Sequence, residues 1–139
     1  MKAKKLFLLI CLLSCYLLYV NSEDLHTKLI QLCPDLFFRE DTFYYIGEIK
    51  NENDTYQFFQ NLHEFGNHRM TWRLVVVHND IIKGFYTNIQ MIPKIINQAL
   101  VFDFDEKTGS IIDFKNGIPN KVYLDGEFFI FSSLESISY

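Results

Sequence analysis

From Thr42 to the C-terminus, short apolar runs alternate with polar breaks. The runs are rich in β-branched and aromatic residues and the breaks in Asn, Asp and Gly, which is typical of strands joined by turns. The pattern predicts eight strands, at residues 42–50, 55–64, 69–78, 81–88, 99–104, 110–114, 120–124 and 127–132. Such spacing indicates a mainly β fold, an antiparallel meander that forms a small sandwich or barrel.

Two stretches depart from a plain strand pattern. Residues 55–64 also fit a helical stripe that includes Phe59 and Leu62, although the aromatic residues favour a strand. The stretch around Pro93 has no clear period. We predict a long irregular link there, and such links often carry binding residues.

Asp125-Gly126 predicts the last hairpin. An Asp-Gly pair supplies the positive φ angles that a two-residue type I′ turn requires. In this register Val122 and Leu124 share one face with Phe129 and Phe131, so these four side chains should form one wall of the core.

A short N-terminal helix is predicted from Glu23 up to Pro34, which cannot continue it. Leu25, Leu29 and Leu32 lie at i, i+4 and i+7 and form one apolar stripe. We expect this stripe to cover an open face or end of the β structure.

Residues 1–22 have the organisation of a secretory signal peptide. Lysines near the start precede an uncharged run from Leu6 to Val20. Val20 and Ser22 suit the −3 and −1 positions of a cut after Ser22, which leaves one β-rich domain at residues 23–139. An uncleaved anchor is disfavoured, because the apolar run spans only about 22 Å as a helix and a hydrocarbon core is roughly 30 Å thick.

Cys15 offers an alternative to that cut. Leu12-Leu13-Ser14-Cys15 partly matches the motif that precedes a lipidated cysteine in bacterial lipoproteins, but the chain stays apolar after Cys15.

Cleavage after Ser22 leaves Cys33 as the one cysteine, so no internal disulfide can form. Because small secreted animal domains are often rich in disulfides, we expect an exported protein of a bacterial envelope, periplasmic or extracellular.

Cleavage also makes the chain more acidic. It removes three lysines and no acidic residue, which changes the formal net charge from −4 to −7. Such a charge repels phosphate backbones and anionic membranes, so nucleic acid is excluded as a partner, as is a membrane unless the chain is lipidated. It favours a basic protein partner; the sequence leaves the oligomeric state open.

The sequence offers little catalytic chemistry. His63 and His68 are five residues apart, which places them on different faces of a helix or strand, so we predict no metal site. Asp103 and Asp105 would share one face of a strand, about 6.5 to 7 Å apart, but they also suit a solvated strand end. A hydrolase that uses His63, His68 or His78 with Asp103 or Asp105 stays an alternative. We predict no cofactor.

Adjacent aromatic residues are the more unusual feature. Neighbours in a strand face opposite ways, so each pair sends one ring away from the core unless both faces are covered. Tyr44, Tyr56 and Tyr86 are our choices for outward rings that bind a protein, with Asp103 and Asp105 speeding the encounter. We therefore expect a non-enzymatic binding module, of the inhibitor or immunity type; a structural lipoprotein anchored at Cys15 is a further alternative.

Overall fold

The computed structural model of the protein describes residues 23–102 and 110–137. Helix α1 (residues 23–32) comes first, and a single helical turn, α2 (Leu134–Ile137), comes last. Between them lie β1 (Thr42–Lys50), β2 (Thr55–Glu64), β3 (Met70–His78), β4 (Ile81–Thr87), β5 (Lys94–Ile96), β6 (Ala99–Phe102), β7 (Ser110–Asp113), β8 (Lys121–Leu124) and β9 (Glu127–Ser133). The predicted mainly β, antiparallel fold with a short N-terminal helix is confirmed.

The strands form two antiparallel sheets. The large sheet has the order β1-β2-β3-β4-β9-β8, and the small sheet has the order β5-β6-β7. Strands β1 to β4 follow one another as a meander, after which the chain builds the small sheet and returns to the large one. The result is a small β-sandwich.

The inner face of the large sheet packs against the small sheet. Phe58, Leu74 and Tyr86 of the large sheet are fully buried in one cluster with Leu100 and Phe102 of the small sheet. Because these residues alternate with others that face the opposite way, strand periodicity places them on one face, and the small sheet buries that face.

The outer face of the large sheet packs against α1. Leu25 and Leu29 of the helix are buried in a second cluster with Phe59, Val75 and Phe85. The predicted stripe is correct at these two leucines. It is wrong at Leu32, which is 60% exposed, and the buried Cys33 lies in the second cluster instead.

One strand was missed by the sequence pattern. β5 lies in the stretch around Pro93 that was predicted as irregular, and it pairs with β6. The intervening turn is Asn97-Gln98, with φ angles of 49° and 62°. Asn-Gln adopts here the two positive φ angles that Asn-Gly or Asp-Gly usually provides, so composition gave no hairpin signal.

The last hairpin has the predicted register. Asp125 and Gly126 have φ angles of 47° and 82°, and Val122 lies opposite Phe129. Val122 and Leu124 belong to the inner core, with Phe129 and Phe131 packed against it. The opposite side of this hairpin therefore faces outward.

Candidate functional site

The outer side of the β8–β9 hairpin carries four exposed side chains, which we call the hairpin face: Lys121, Tyr123, Phe128 and Ile130. Tyr123 is 57% exposed, Phe128 is 62% exposed and Ile130 is 68% exposed. Strand register places them together, because Tyr123 pairs with Phe128 and Lys121 pairs with Ile130. The face is thus one continuous patch.

Side chains of the hairpin face contact one another. The ring centroids of Tyr123 and Phe128 are 4.8 Å apart. The ammonium nitrogen of Lys121 lies 3.8 Å from the centroid of the Phe128 ring, within the range of a cation–π contact. The patch is therefore a pair of aromatic rings with one positive charge held over them.

The same face of the sheet is covered elsewhere. Phe59 on β2, Val75 on β3 and Phe85 on β4 lie beneath α1 and are at most 3% exposed. On β9 and β8 the apolar side chains of this face are more than half exposed. Large contiguous apolar patches on a protein surface often mark interaction sites.

A second group of polar side chains lies buried beside α1. The carboxylate of Asp41 accepts hydrogen bonds from the Asn61 amide at 3.0 Å and the Phe38 backbone at 3.1 Å, and it pairs with His63 Nδ1 at 2.6 Å. Arg73 donates in turn to the Asn61 side-chain oxygen at 3.1 Å. We call Asp41, Asn61, His63 and Arg73 the buried network.

Burial shifts the pKa of Arg73 in this network and of Cys33 close to it. Removal from water lowers the pKa of Arg73, against the opposing effect of Asp41, and the guanidinium packs over the rings of Phe37 and Phe85. Burial also raises the pKa of the Cys33 thiol, and Arg73 opposes this. A thiol with a raised pKa is a poor nucleophile, which agrees with a structural role for Cys33.

A second His–Asp pair lies at the opposite end of the sheet. His78 Nε2 is 2.6 Å from Asp54, and the Tyr56 ring stacks on the His78 ring at 4.4 Å. Burial raises the pKa of Tyr56. The pair joins the β1–β2 turn to the end of β3.

Of the three tyrosines chosen from the sequence, Tyr44 is exposed, at 46%. The expectation that Tyr56 and Tyr86 face outward is wrong, since they are 4% and 0% exposed. Both belong to the inner core, because the small sheet covers the face to which they point. The Tyr86 hydroxyl donates to the Pro119 carbonyl, and burial raises its pKa.

The other predicted site residues have separate positions. Asp103 and Asp105 lie outside the described residues, as does Cys15. His63 and His78 pair with Asp41 and Asp54, while His68 is exposed in the β2–β3 turn. The structure therefore does not bring the three histidines together.

The hairpin face was missed although the sequence contained its signal. Once Asp125-Gly126 sets the register, Val122 and Leu124 point inward and Lys121 and Tyr123 must point outward. The predicted register therefore already implied an apolar surface on the other side.

Comparison with family models, with curated proteins and with solved structures gives no match for the chain. In residues 23–102 and 110–137 no cluster of three or more His, Cys, Asp or Glu side chains could hold a metal ion. No helix in these ranges is both long and apolar enough to cross a membrane.

Proposed function

We propose that the protein is an exported, non-enzymatic binding module that docks on a protein partner through the hairpin face. The observation that carries this proposal is the exposure of Tyr123, Phe128 and Ile130 on one side of a hairpin whose other side is core. Aromatic residues in such positions are the usual anchors of protein interfaces.

The energetics favour docking at this face. Each large apolar side chain that leaves water contributes about 1.5 to 3 kcal/mol when it is fully buried. The rings of Tyr123 and Phe128 already contact each other, so less side-chain freedom is lost on binding. A partner that covers both rings gains apolar contact at a low entropic cost.

Charge suggests two features of the partner. The net charge of −7 after removal of residues 1–22 attracts a partner that is basic overall and speeds the encounter. At the contact itself, Lys121 favours a carboxylate or carbonyl oxygen above the Phe128 ring. We therefore propose a basic protein that presents an acceptor to the hairpin face.

Site-specific photo-cross-linking in the producing cell tests this proposal. Benzoylphenylalanine replaces Tyr123 in one variant and Ile111 in the other, a control residue on β7 that is 58% exposed. We expect a discrete adduct from position 123 that disappears when Phe128→Ala and Ile130→Ala are added, and no such adduct from position 111. Identical products from both positions, or none from position 123, refute docking at this face.

A second candidate function, hydrolysis, is favoured by one observation. The pair of Asp41 and His63 has the spacing of a carboxylate that orients a catalytic base. Among the described residues, however, the hydrogen-bond and ring partners of His63 are Asp41, Phe38 and Phe65, none of which has a hydroxyl or thiol that His63 could activate. If the purified protein turns over an envelope substrate and His63→Ala abolishes turnover in a folded chain, the enzyme interpretation is correct.

A further inference from the structure

Residues 88–93, between β4 and β5, cross the inner face of the large sheet. Asn88 donates a backbone hydrogen bond to the Trp72 carbonyl on β3 at 2.7 Å. The next residue, Ile89, accepts a hydrogen bond from Gln60 on β2. After the crossing, the Ile95 side chain lies against Gly47 on β1, 2.7 Å from where a Cβ would stand. The chain therefore leaves the β3–β4 pairing at Asn88 and runs over β2 to β1.

Gln60 lies beneath this crossing with one polar atom unpaired. The side chain is fully buried, and its Nε2 donates to the Ile89 carbonyl at 3.1 Å. Its amide oxygen, Oε1, accepts a hydrogen bond from none of the described residues. A buried acceptor without a donor is unfavourable, and each such atom in a native protein calls for an explanation.

The side chains around Gln60 form an apolar surface. Tyr44 lies directly opposite Gln60 on β1, and Leu62 follows two residues later on the same face of β2. Trp72 lies opposite Leu62 on β3. Leu62 and Trp72 are half-buried, whereas Tyr44 is 46% exposed. Gln60 thus has apolar, partly exposed neighbours in the sheet.

The crossing segment supplies an adaptable cover. Met91 packs against the inner core and is half-buried, and the neighbouring Ile92 is 50% exposed. A methionine side chain is unbranched and repacks at little cost. Met91 follows two residues after Ile89, whose carbonyl accepts the hydrogen bond from Gln60, so a side chain that repacks easily lies next to this contact along the chain.

We propose that Gln60, Tyr44, Leu62, Trp72 and Met91 form a binding site for a small amphipathic molecule. Its apolar body contacts Trp72 and Leu62, and its one hydrogen-bond donor, such as a hydroxyl group, pairs with Gln60 Oε1. An anion that only accepts hydrogen bonds does not fit, because the free atom is itself an acceptor. This site is separate from the hairpin face and does not depend on the function proposed there.

The fluorescence of Trp72 reports on this site directly, because the chain has one tryptophan. The probes are 1-hexanol, which has a donor, and its methyl ether, which has none. We expect a saturable change of Trp72 emission with 1-hexanol and binding of the ether that is about tenfold weaker, because the ether cannot make the one hydrogen bond to the buried acceptor. Equal affinities, or no saturable change with either probe, overturn the proposal.

Gln60→Met removes the acceptor while it keeps the volume. This variant should bind 1-hexanol and the ether equally, and Gln31→Met, at an exposed position in α1, should keep the tenfold preference. A preference that persists in folded Gln60→Met places the donor contact elsewhere and contradicts the assignment. Should Gln60→Met fail to fold, the comparison of the two probes with the unmodified protein still decides the question.

Discussion

At the scale of single residues, Asp41 holds the segment after α1 against the sheet. Its carboxylate joins the Phe38 backbone to Asn61 and His63 on β2. Through Asn61 it is also linked to the buried guanidinium of Arg73. Because these groups are shielded from water, the hydrogen bonds that they make to one another replace the ones that they would make to water.

Asp41→Asn should therefore be strongly destabilising. The variant removes the negative charge near Arg73. Its amide nitrogen is also a donor, and it would face the Asn61 amide or the Phe38 backbone N–H, which are donors themselves. We expect a loss of about 3 kcal/mol in the free energy of unfolding, measured by urea denaturation. Asp113→Asn at an exposed site is the control and should change it by less than about 0.5 kcal/mol. Similar losses in both variants would show that the network contributes nothing.

Tyr86→Phe tests the hydrogen bond from the largest fully buried side chain of the inner core to the Pro119 carbonyl. The variant leaves the Pro119 carbonyl without the donor that it has in the protein, while the ring stays in place. A loss of about 1 kcal/mol in the free energy of unfolding is expected. Tyr123→Phe removes a hydroxyl from an exposed ring and should have no effect on unfolding. A neutral Tyr86→Phe would contradict the hydrogen bond.

The hydrogen-bond partners of the candidate residues could not be predicted from the sequence. His63 pairs with a carboxylate 22 positions away and His78 with one 24 positions away, so no local spacing announces either pair. The burial of Tyr56 and Tyr86 depends on the small sheet, which covers the face that they share. Strand periodicity shows which residues share a face, but not which face is covered.

At the scale of elements, the positions of the strands followed from composition, and the exception is instructive. β5 has three residues and pairs through a turn of Asn97-Gln98. In sequence, a run this short followed by Asn-Gln looks like an ordinary loop. β5 is a strand because it pairs with β6. The order of the strands depends on long-range pairing of β9 with β4, which local patterns do not contain.

The β8–β9 turn offers an element-level prediction. Gly126 has a φ angle of 82°, which a β-branched residue adopts only with strain, whereas no positive φ angle occurs at Gly66 and a Cβ there would meet open space. Gly126→Val should therefore lower the midpoint of urea unfolding more than Gly66→Val does. Equal midpoints would mean that this turn does not need its positive φ angle.

At the scale of the whole molecule, the large sheet has two neighbours that cover it unequally. The small sheet covers much of the inner face, while α1 covers the outer face at β2, β3 and β4. The outer sides of β9 and β8 stay open and carry the hairpin face. This unequal cover distinguishes the hairpin face from the rest of the sheet.

Export is a prediction for the whole chain and depends on residues 1–22. If the signal is cleaved after Ser22, the exported protein begins at Glu23, and its intact mass should match residues 23–139 without modification. Mass spectrometry of protein recovered from the envelope or medium measures this. A species that begins with an acylated Cys15, or the full-length chain, would contradict this cleavage.

The most direct test of the binding proposal is the dissociation constant for the partner that cross-links at position 123. Truncation of an aromatic anchor typically costs on the order of 2 kcal/mol, so Tyr123→Ala should weaken binding about 30-fold without unfolding the domain. Ile111→Ala, at an equally exposed apolar position on β7, should leave the dissociation constant unchanged. Equal constants for Tyr123→Ala, Ile111→Ala and the unmodified protein would contradict docking through the hairpin face.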